Sequence, residues 1–562
     1  MKAEIKTERG RERIFVNGEP ILSDSYLTYL TGKARYLDFA ERGYRLFSFP
    51  AFFSSKTLNE NAQYPAFGEG IFDMHLPKWE IFDRNVEKIL EACPDAYIFP
   101  RVNLSPAEAW ERENSDELCD IKKGEVARPC FASEALEAEM KRMLGLLIDH
   151  VKSADYREHI IGYQLASGNT EEWLPFDMAG CIGKRSRERF SRYRREKGIT
   201  DSEAEYYGFL SEVTAELILR LAAFTKERTE GDLLVGTFYG YTLECPDRRL
   251  CHAALGRLLD SESIDFICSP VSYGQGRALG RDHGFMLPVD SLKLHGKLYM
   301  SENDTRTHMT RSPFPSNPYF DAPIFQPIGK DTAYEMLKLH YSRAMIRGVG
   351  HWWFDMFGGW YRDEDHLDLM AGFLEISREA AEIPSGGVSE IAVFVDERSF
   401  RYISDSSAGY SVCYDIREAL GKIGAPYDIY LADDYDRVKD SYKLVILLEP
   451  EPTELSESIA SDAIALGKGL LRVTPQNAKA VTPEEIRRIS RQNGVHLYFD
   501  EDTLVYVNES YIFAHFTKDG RRILKIPENC KLYDVLEKKY VTPELDGKAK
   551  TGILLKLERK NA

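Results

Sequence analysis

The sequence predicts an α/β protein: a (β/α)8 TIM barrel followed by a flavodoxin-like α/β domain and a small C-terminal β-sandwich. Three observations predict it. Apolar strand-like runs alternate with helix-period segments eight times within residues 1–383, the count and order of a barrel with long βα loops. A Pro384-Ser385-Gly386-Gly387 break follows, and such a cluster reads as a linker. A second βα pattern then gives way to short alternating strands. At 562 residues the chain is also too long for one compact core.

The elements follow in order. Ile14-Phe15-Val16-Asn17-Gly18-Glu19-Pro20-Ile21 predicts an opening hairpin, because Asn-Gly suits a type I′ turn. The eight expected strands cover 20–27, 45–50, 96–104, 160–166, 233–239, 264–271, 297–301 and 348–355. Helical periodicity occupies 134–151, 203–228 and 332–347 between them. An open doubly wound sheet is the competing arrangement, but no glycine fingerprint lies near the first strand. The second domain, 388–490, has strand-like runs at 389–395, 428–431, 444–448 and 469–473 and a helix at 414–423. Its first strand lacks an anion-binding glycine turn. The third, 495–562, contains Val495-His496-Leu497-Tyr498-Phe499 and the runs 503–507, 511–516 and 552–557, spacings that fit a small antiparallel sandwich.

Composition narrows the function classes. A net charge of −17 argues against nucleic-acid binding, which needs a basic face, and suits a soluble protein handling neutral molecules. Nine scattered cysteines (93, 119, 130, 181, 245, 251, 268, 413, 530) without C-x-x-C read as reduced thiols of a cytoplasmic protein. The start, Met1-Lys2-Ala3-Glu4, leads into no apolar stretch and predicts no secretory signal. No run of 18 apolar residues predicts a membrane span. No H-E-x-x-H or comparable spacing implies a metal, and no cofactor is expected. Gly274-Gln275-Gly276-Arg277 lacks the ending of a phosphate loop, and Lys184-Arg185-Ser186-Arg187-Glu188-Arg189 reads as a solvated helix face.

Chemistry concentrates at the expected C-terminal ends of the strands, where barrels build active sites. Gly168-Asn169-Thr170-Glu171-Glu172-Trp173 follows the fourth strand and Ser301-Glu302-Asn303-Asp304-Thr305-Arg306 ends the seventh. An acid-bearing tip on a buried strand is costly and is retained for chemistry. Two facing acids are the machinery of retaining glycoside hydrolysis. Glu302 would then be ionised, with Arg101 or Arg306 holding its pKa down. Glu172 would begin protonated, raised by the charge of Glu302 and by burial against Trp173. Around them, Arg101 and Asn103 end the third strand, Tyr273 follows the sixth, and His351-Trp352-Trp353-Phe354-Asp355 forms the eighth. Arg101, Asn103, Tyr273, Arg306, Trp353 and Asp355 are the expected substrate contacts, since aromatic faces stack on sugars while carboxylates and amides bond hydroxyls. Each also has an ordinary reading: ion-pair partner for the arginines, packing for Tyr273, Trp353 and Trp360. His351 and His308 are weaker candidates.

Glutamates on the fourth and seventh strands resemble the signature of the glycoside hydrolases of clan A. The whole plan resembles the family 42 β-galactosidases and the related family 164 β-mannosidases. Clan members carry Asn-Glu before an aromatic on strand 4. Aligning on Trp173 implies Glu172 as acid/base, with Glu171 in the place of the asparagine and as the alternative acid, and Glu302 as nucleophile. The resemblance implies a retaining exo-β-glycosidase acting on short oligosaccharides. It also implies that the second domain trimerises, making a homo-oligomer. The zinc of family 42 is not carried over, because Cys119, Cys130, Cys245 and Cys251 lack its close spacing. A β-mannosidase and a sugar-binding barrel without catalysis are the alternatives. A lyase is weaker, with no evident Schiff-base lysine.

Overall fold

The computed structural model describes residues 1–55, 68–74, 76–120, 128–168, 170–175, 182–250, 252–311 and 327–559. The expected barrel is there. Its strands are β1 (Asp24–Leu27), β2 (Leu46–Phe47 and Pro50–Phe52), β3 (Tyr97–Ile98 and Arg101–Asn103) and β4 (Gly162–Ala166), then β5 (Leu234–Phe238), β6 (Phe266–Pro270), β7 (Leu298–Asn303) and β8 (Gly350–Phe354). The 10 hydrogen-bonded segments make eight strands, because β2 and β3 are each interrupted once. β3 breaks at Phe99-Pro100, where proline has no N–H for the ladder. Every neighbouring pair is parallel, and β8 pairs with β1 from His351↔Asp24 to Phe354↔Leu27, closing the ring.

The helices outside the ring begin where the sequence supplies caps. Ser133 accepts from Leu136 N–H at the start of Glu134–Ser153, and Ser202 from Glu205 N–H at the start of Glu203–Arg228. Asp363 caps Glu364–Ala381. Such oxygens satisfy donors the first turn leaves open.

The opening hairpin also forms. Arg11–Val16 pairs with Glu19–Ile21 across Asn17 (φ +51) and Gly18 (φ +89), both left-handed as a type I′ turn requires. Ile14 on this hairpin shares an apolar layer with Phe99, Ile161, Leu234, Phe266, Leu298 and Met300. The N-terminal sheet therefore plugs the bottom of the barrel and leaves the opposite end for chemistry.

Beyond the break lies a four-stranded parallel sheet, in the order Asp428–Leu431, Ile391–Val395, Leu444–Leu448, Gly469–Val473. After it come a five-stranded antiparallel sheet and the pair Gly520–Ile523 with Glu544–Gly547. Phe499, Val505, Ile512, Leu524, Leu545 and Leu555 share one apolar cluster there. The expected strand at Val495-His496-Leu497-Tyr498-Phe499 does not form. Its backbone bonds go instead to a turn and a loop: Tyr498 and Phe499 N–H both to Gly424 O, at 2.8 and 3.2 Å, and Lys525 N–H to Tyr498 O at 2.9 Å. It acts as a clasp between the two C-terminal sheets. No helix among the described residues is long and apolar enough to cross a membrane.

Candidate active site

Arg101 organises the top of the barrel. It lies on β3 with no exposed surface, over the rings of Phe238 at 4.2 Å and Tyr29 at 5.3 Å. Its Nε is 3.0 Å from Glu171 Oε2 and its Nη1 is 3.5 Å from Glu302 Oε2. Three strands thus converge, because β3, β4 and β7 end level at one rim. Glu302 pairs in register with Trp352, whose ring packs on Phe99 and Phe238 inside the barrel. Alternation along β7 and β8 therefore turns both side chains inward.

The segment after β4 is strained. Thr170 (φ +54), Glu171 (φ +64) and Trp173 (φ +58) all sit in the left-handed region, at a cost of about 1 kcal/mol or more each. Gly168 (φ +75) opens the turn, and a Cβ there would meet Leu174 O at 2.5 Å. Trp173 anchors the strain: its Nε1 donates to Leu165 O at 3.2 Å and its backbone N–H to Ser167 O at 2.8 Å. Thr170 Oγ1 donates to Glu172 Oε2, and the Tyr241 hydroxyl is a second partner of that carboxyl. Asn169 lies outside the described residues.

Burial dominates the electrostatics. It pushes Glu171 up to about 7 against the pull of Arg101 and Asn103, with Glu172 adding to the rise. Burial likewise pushes Glu172 up to about 7, opposed by Arg101, Thr170 and Tyr241 and assisted by Asp304. The expectation that arginine holds Glu302 low is corrected. Burial, with Asp304 and Glu172 beside it, carries its pKa well above the ordinary value despite Arg101 and Arg277. Asp304 goes the other way. Burial opposes its charge, but Arg277 Nη1 at 2.6 Å and Arg306 Nη1 at 2.6 Å hold it below the usual range.

Several expected contacts take other roles. Arg306 pairs with Asp304, not with Glu302, and lies over Trp360 at 5.0 Å. Trp353 faces outward on β8, stacked near-parallel on Phe373 of the outer helix, with Nε1 donating to Tyr44 OH at 2.8 Å. It is core, not a sugar platform. Asp355 is fully buried and accepts from Tyr26 OH, Gly359 N–H and Trp360 N–H at 2.7–2.8 Å, so its carboxylate folds the loop after β8. His351 Nε2 meets Asn303 Nδ2 at 3.2 Å behind β7, and His308 pairs with Asp363. Asn103 Oδ1 accepts from Ser105 N–H at 3.0 Å while its amide lies beside Glu171. Tyr273 is half-buried, its hydroxyl 3.2 Å from that of Tyr241.

Sequence reasoning missed Tyr241, Tyr29 and Arg277. None belongs to a motif. The available signal was position: Tyr29 follows β1 and Tyr241 follows β5, on the rim where the acids lie. Among the described residues no group of His, Cys, Asp and Glu is arranged to hold a metal. Cys181 and Cys251 lie outside them, and Cys93, Cys245, Cys268, Cys413 and Cys530 are free thiols.

No protein-family model and no curated protein matches the chain by sequence. Solved structures match closely in shape. A β-galactosidase from Bacillus circulans sp. alkalophilus superposes with a TM-score of 0.65 at 11% identity, covering 95% of this chain and 98% of its own. One from the psychrophilic Marinomonas ef1 gives 0.63 at 12%, covering 95% and 100%. An apo exo-carrageenase of family 42 from Bacteroides ovatus gives 0.61 at 12%, covering 99% and 84%. The chain has the fold of the family 42 enzymes from end to end.

Proposed function

We propose that the protein is a retaining exo-β-glycosidase, β-galactosidase-like, that hydrolyses short oligosaccharides through a covalent glycosyl-enzyme. The observation that carries this reading is Arg101 lying 3.0 Å from Glu171 and 3.5 Å from Glu302, with Glu172 in the same charge cluster. One guanidinium cannot balance three buried carboxylates, so the cluster retains protons near neutrality. An ionised acid beside a protonated one is the starting state of double displacement.

In this reading the competent form is the one in which Glu302 is ionised, and its carboxylate attacks the anomeric carbon. The glycosidic C–O bond breaks as Glu172 gives its proton to the leaving oxygen. Glu172 then takes a proton from water, whose oxygen attacks the anomeric carbon and releases Glu302. Two features favour Glu172 over Glu171 as acid/base. Glu171 has no exposed surface and is held against Arg101, whereas Glu172 keeps some exposure and is aimed by Thr170 and Tyr241. Glu171 then serves as the counter-ion that keeps Arg101 in place.

The test is a panel of aryl β-glycosides, galactosides and mannosides included, with wild type, Glu302→Ala, Glu172→Ala and Glu171→Ala. Loss of Glu302 should abolish turnover with every leaving group. Glu172→Ala should keep substrates with good leaving groups and, with azide, yield the β-glycosyl azide. Full activity in Glu302→Ala defeats the mechanism. A homotrimer is proposed with the same reading, and light scattering decides it.

A further inference from the structure

We infer that the flavodoxin-like domain is a positioning element of the catalytic site: Arg417 and Tyr414 reach from it into the barrel and fix the tyrosine pair that aims Glu172. The inference rests on Glu172 as acid/base in the reading above. It begins with an arginine that belongs to one domain and bonds to another. Arg417 is 1% exposed. Its Nη1 donates to the carbonyls of His283 at 3.2 Å and Phe285 at 2.8 Å, and its Nη2 to Leu243 O at 3.2 Å and Glu244 Oε2 at 2.6 Å. These four acceptors all lie on the loops after β5 and β6.

Glu244 passes the constraint on. Besides Arg417 it accepts Ser272 Oγ at 3.0 Å and Tyr273 N–H at 2.7 Å. Tyr414 OH donates to Tyr273 O at 2.7 Å and accepts from Gly276 N–H at 3.1 Å. The backbone of Tyr273 is therefore clamped at both its N–H and its C=O, and both clamps trace to one helical turn of the second domain. The π-helical turn Tyr410–Asp415 carries Tyr414 and runs into the α-helix Ile416–Gly421 that carries Arg417, and residues three apart share a helix face. Such turns concentrate at functional sites. Close approach is built in: a Cβ on Gly409 would lie 2.4 Å from Pro246 O. From Tyr273 the path is short. Its hydroxyl meets that of Tyr241 at 3.2 Å with the rings near-parallel, and Tyr241 partners the Glu172 carboxyl.

A buried charge pair spanning two domains is a poor source of stability, since desolvation offsets most of its attraction. Its value here is geometric. Within the barrel these loops are held by Leu243 N–H on Met286 O at 2.8 Å and by Arg277 on the carbonyls of Ser272 at 2.8 Å and Val271 at 2.9 Å. Arg417 adds the bonds that fix Glu244, and with it Tyr273, to the tolerance that proton transfer needs.

The experiment compares Arg417→Met, which keeps the volume, Arg417→Lys, which keeps the charge, and Tyr414→Phe. Each is assayed on aryl β-glycosides with good and poor leaving groups. A mispositioned acid matters only where the leaving group needs its proton. Arg417→Met should cut kcat about 10- to 100-fold on the poor leaving group and less than about threefold on the good one. Arg417→Lys should recover part of the loss, and Tyr414→Phe should fall the same way by less. Equal losses on both substrates would mean a smaller folded fraction and overturn the inference, as would no loss. A second measurement does not need turnover. With glutamate labelled at the carboxyl carbon, the Glu172 resonance is identified by its absence in Glu172→Gln. Its titration midpoint should rise in Arg417→Met by about half a pH unit as the Tyr241 hydrogen bond loosens. An unmoved midpoint overturns the positioning role even if the wild type proves to hydrolyse no glycoside, and that second result would strike only the functional reading.

Discussion

At the mouth of the barrel three buried carboxyls surround the Arg101 guanidinium, and that imbalance sets how each acid titrates. Glu171 and Glu172 reach about 7 because burial outweighs Arg101. An acid whose competent form is protonated stays competent up to its pKa, so kcat/KM for a poor leaving group should fall as pH rises through about 7. Glu172→Gln should lose that alkaline limb with what activity remains, and a pH–rate profile on two leaving groups checks both points. A limb that persists unchanged in Glu172→Gln would assign the titration to another group. This part of the site was legible because its residues sit in strand tips: Arg101, Glu171 and Glu302 come together as β3, β4 and β7 demand. Tyr241 was not legible. It lies on a loop after β5 whose course depends on the bond between Glu244 and Arg417, two residues 173 positions apart, and no local pattern encodes that contact.

At the scale of the element, β8 shows how a right strand can carry a wrong assignment. The sequence places an aromatic strand there correctly, yet Trp352 and Trp353 point to opposite faces, and a run apolar on both faces hides which is which. The register Glu302↔Trp352 resolves it. Trp352 is inward, and Trp353 is wedged against Phe373 with its indole N–H on Tyr44. Trp353→Phe should therefore destabilise by about 1–3 kcal/mol, from the lost hydrogen bond and the space left behind, while KM changes less than about twofold. Thermal melting and steady-state kinetics on the same preparation measure the two. A rise in KM without a drop in melting temperature would restore Trp353 to the substrate. Asp355 belongs to the same lesson: a carboxylate at a strand tip was expected to meet sugar, but Gly359 and Trp360 N–H groups consume it.

Across the whole molecule, buried titratable groups make stability a function of pH whose sign follows from their directions. Burial pushes Asp24, Glu171 and Glu172 up to about 7, Glu397 to about 8, and Asp355 to about 6. The folded state holds these protons after the unfolded chain, titrating near its ordinary carboxylate range, has released them. Their contribution is complete below the ordinary carboxylate range and is lost progressively as pH rises from there through the folded values of 6 to 8. Burial depresses His252, His283 and His351 to about 3. They stay neutral when folded, so their contribution is present above the ordinary 6.5 and is lost as pH falls below it. The two sets oppose each other between the carboxylate range and 6.5. Above 6.5 the histidines are silent and only the carboxyls titrate. The melting temperature should accordingly fall from pH 6.5 to pH 8, and Glu397→Gln, which keeps an acceptor for one of the Leu255 and Gly256 N–H groups, should flatten part of that fall. Calorimetry at the two pH values decides it. A melting temperature that climbs over this interval would mean that the carboxyls are already ionised in the folded protein. The proton kept on Glu172 at neutrality would then be lost along with the stability argument.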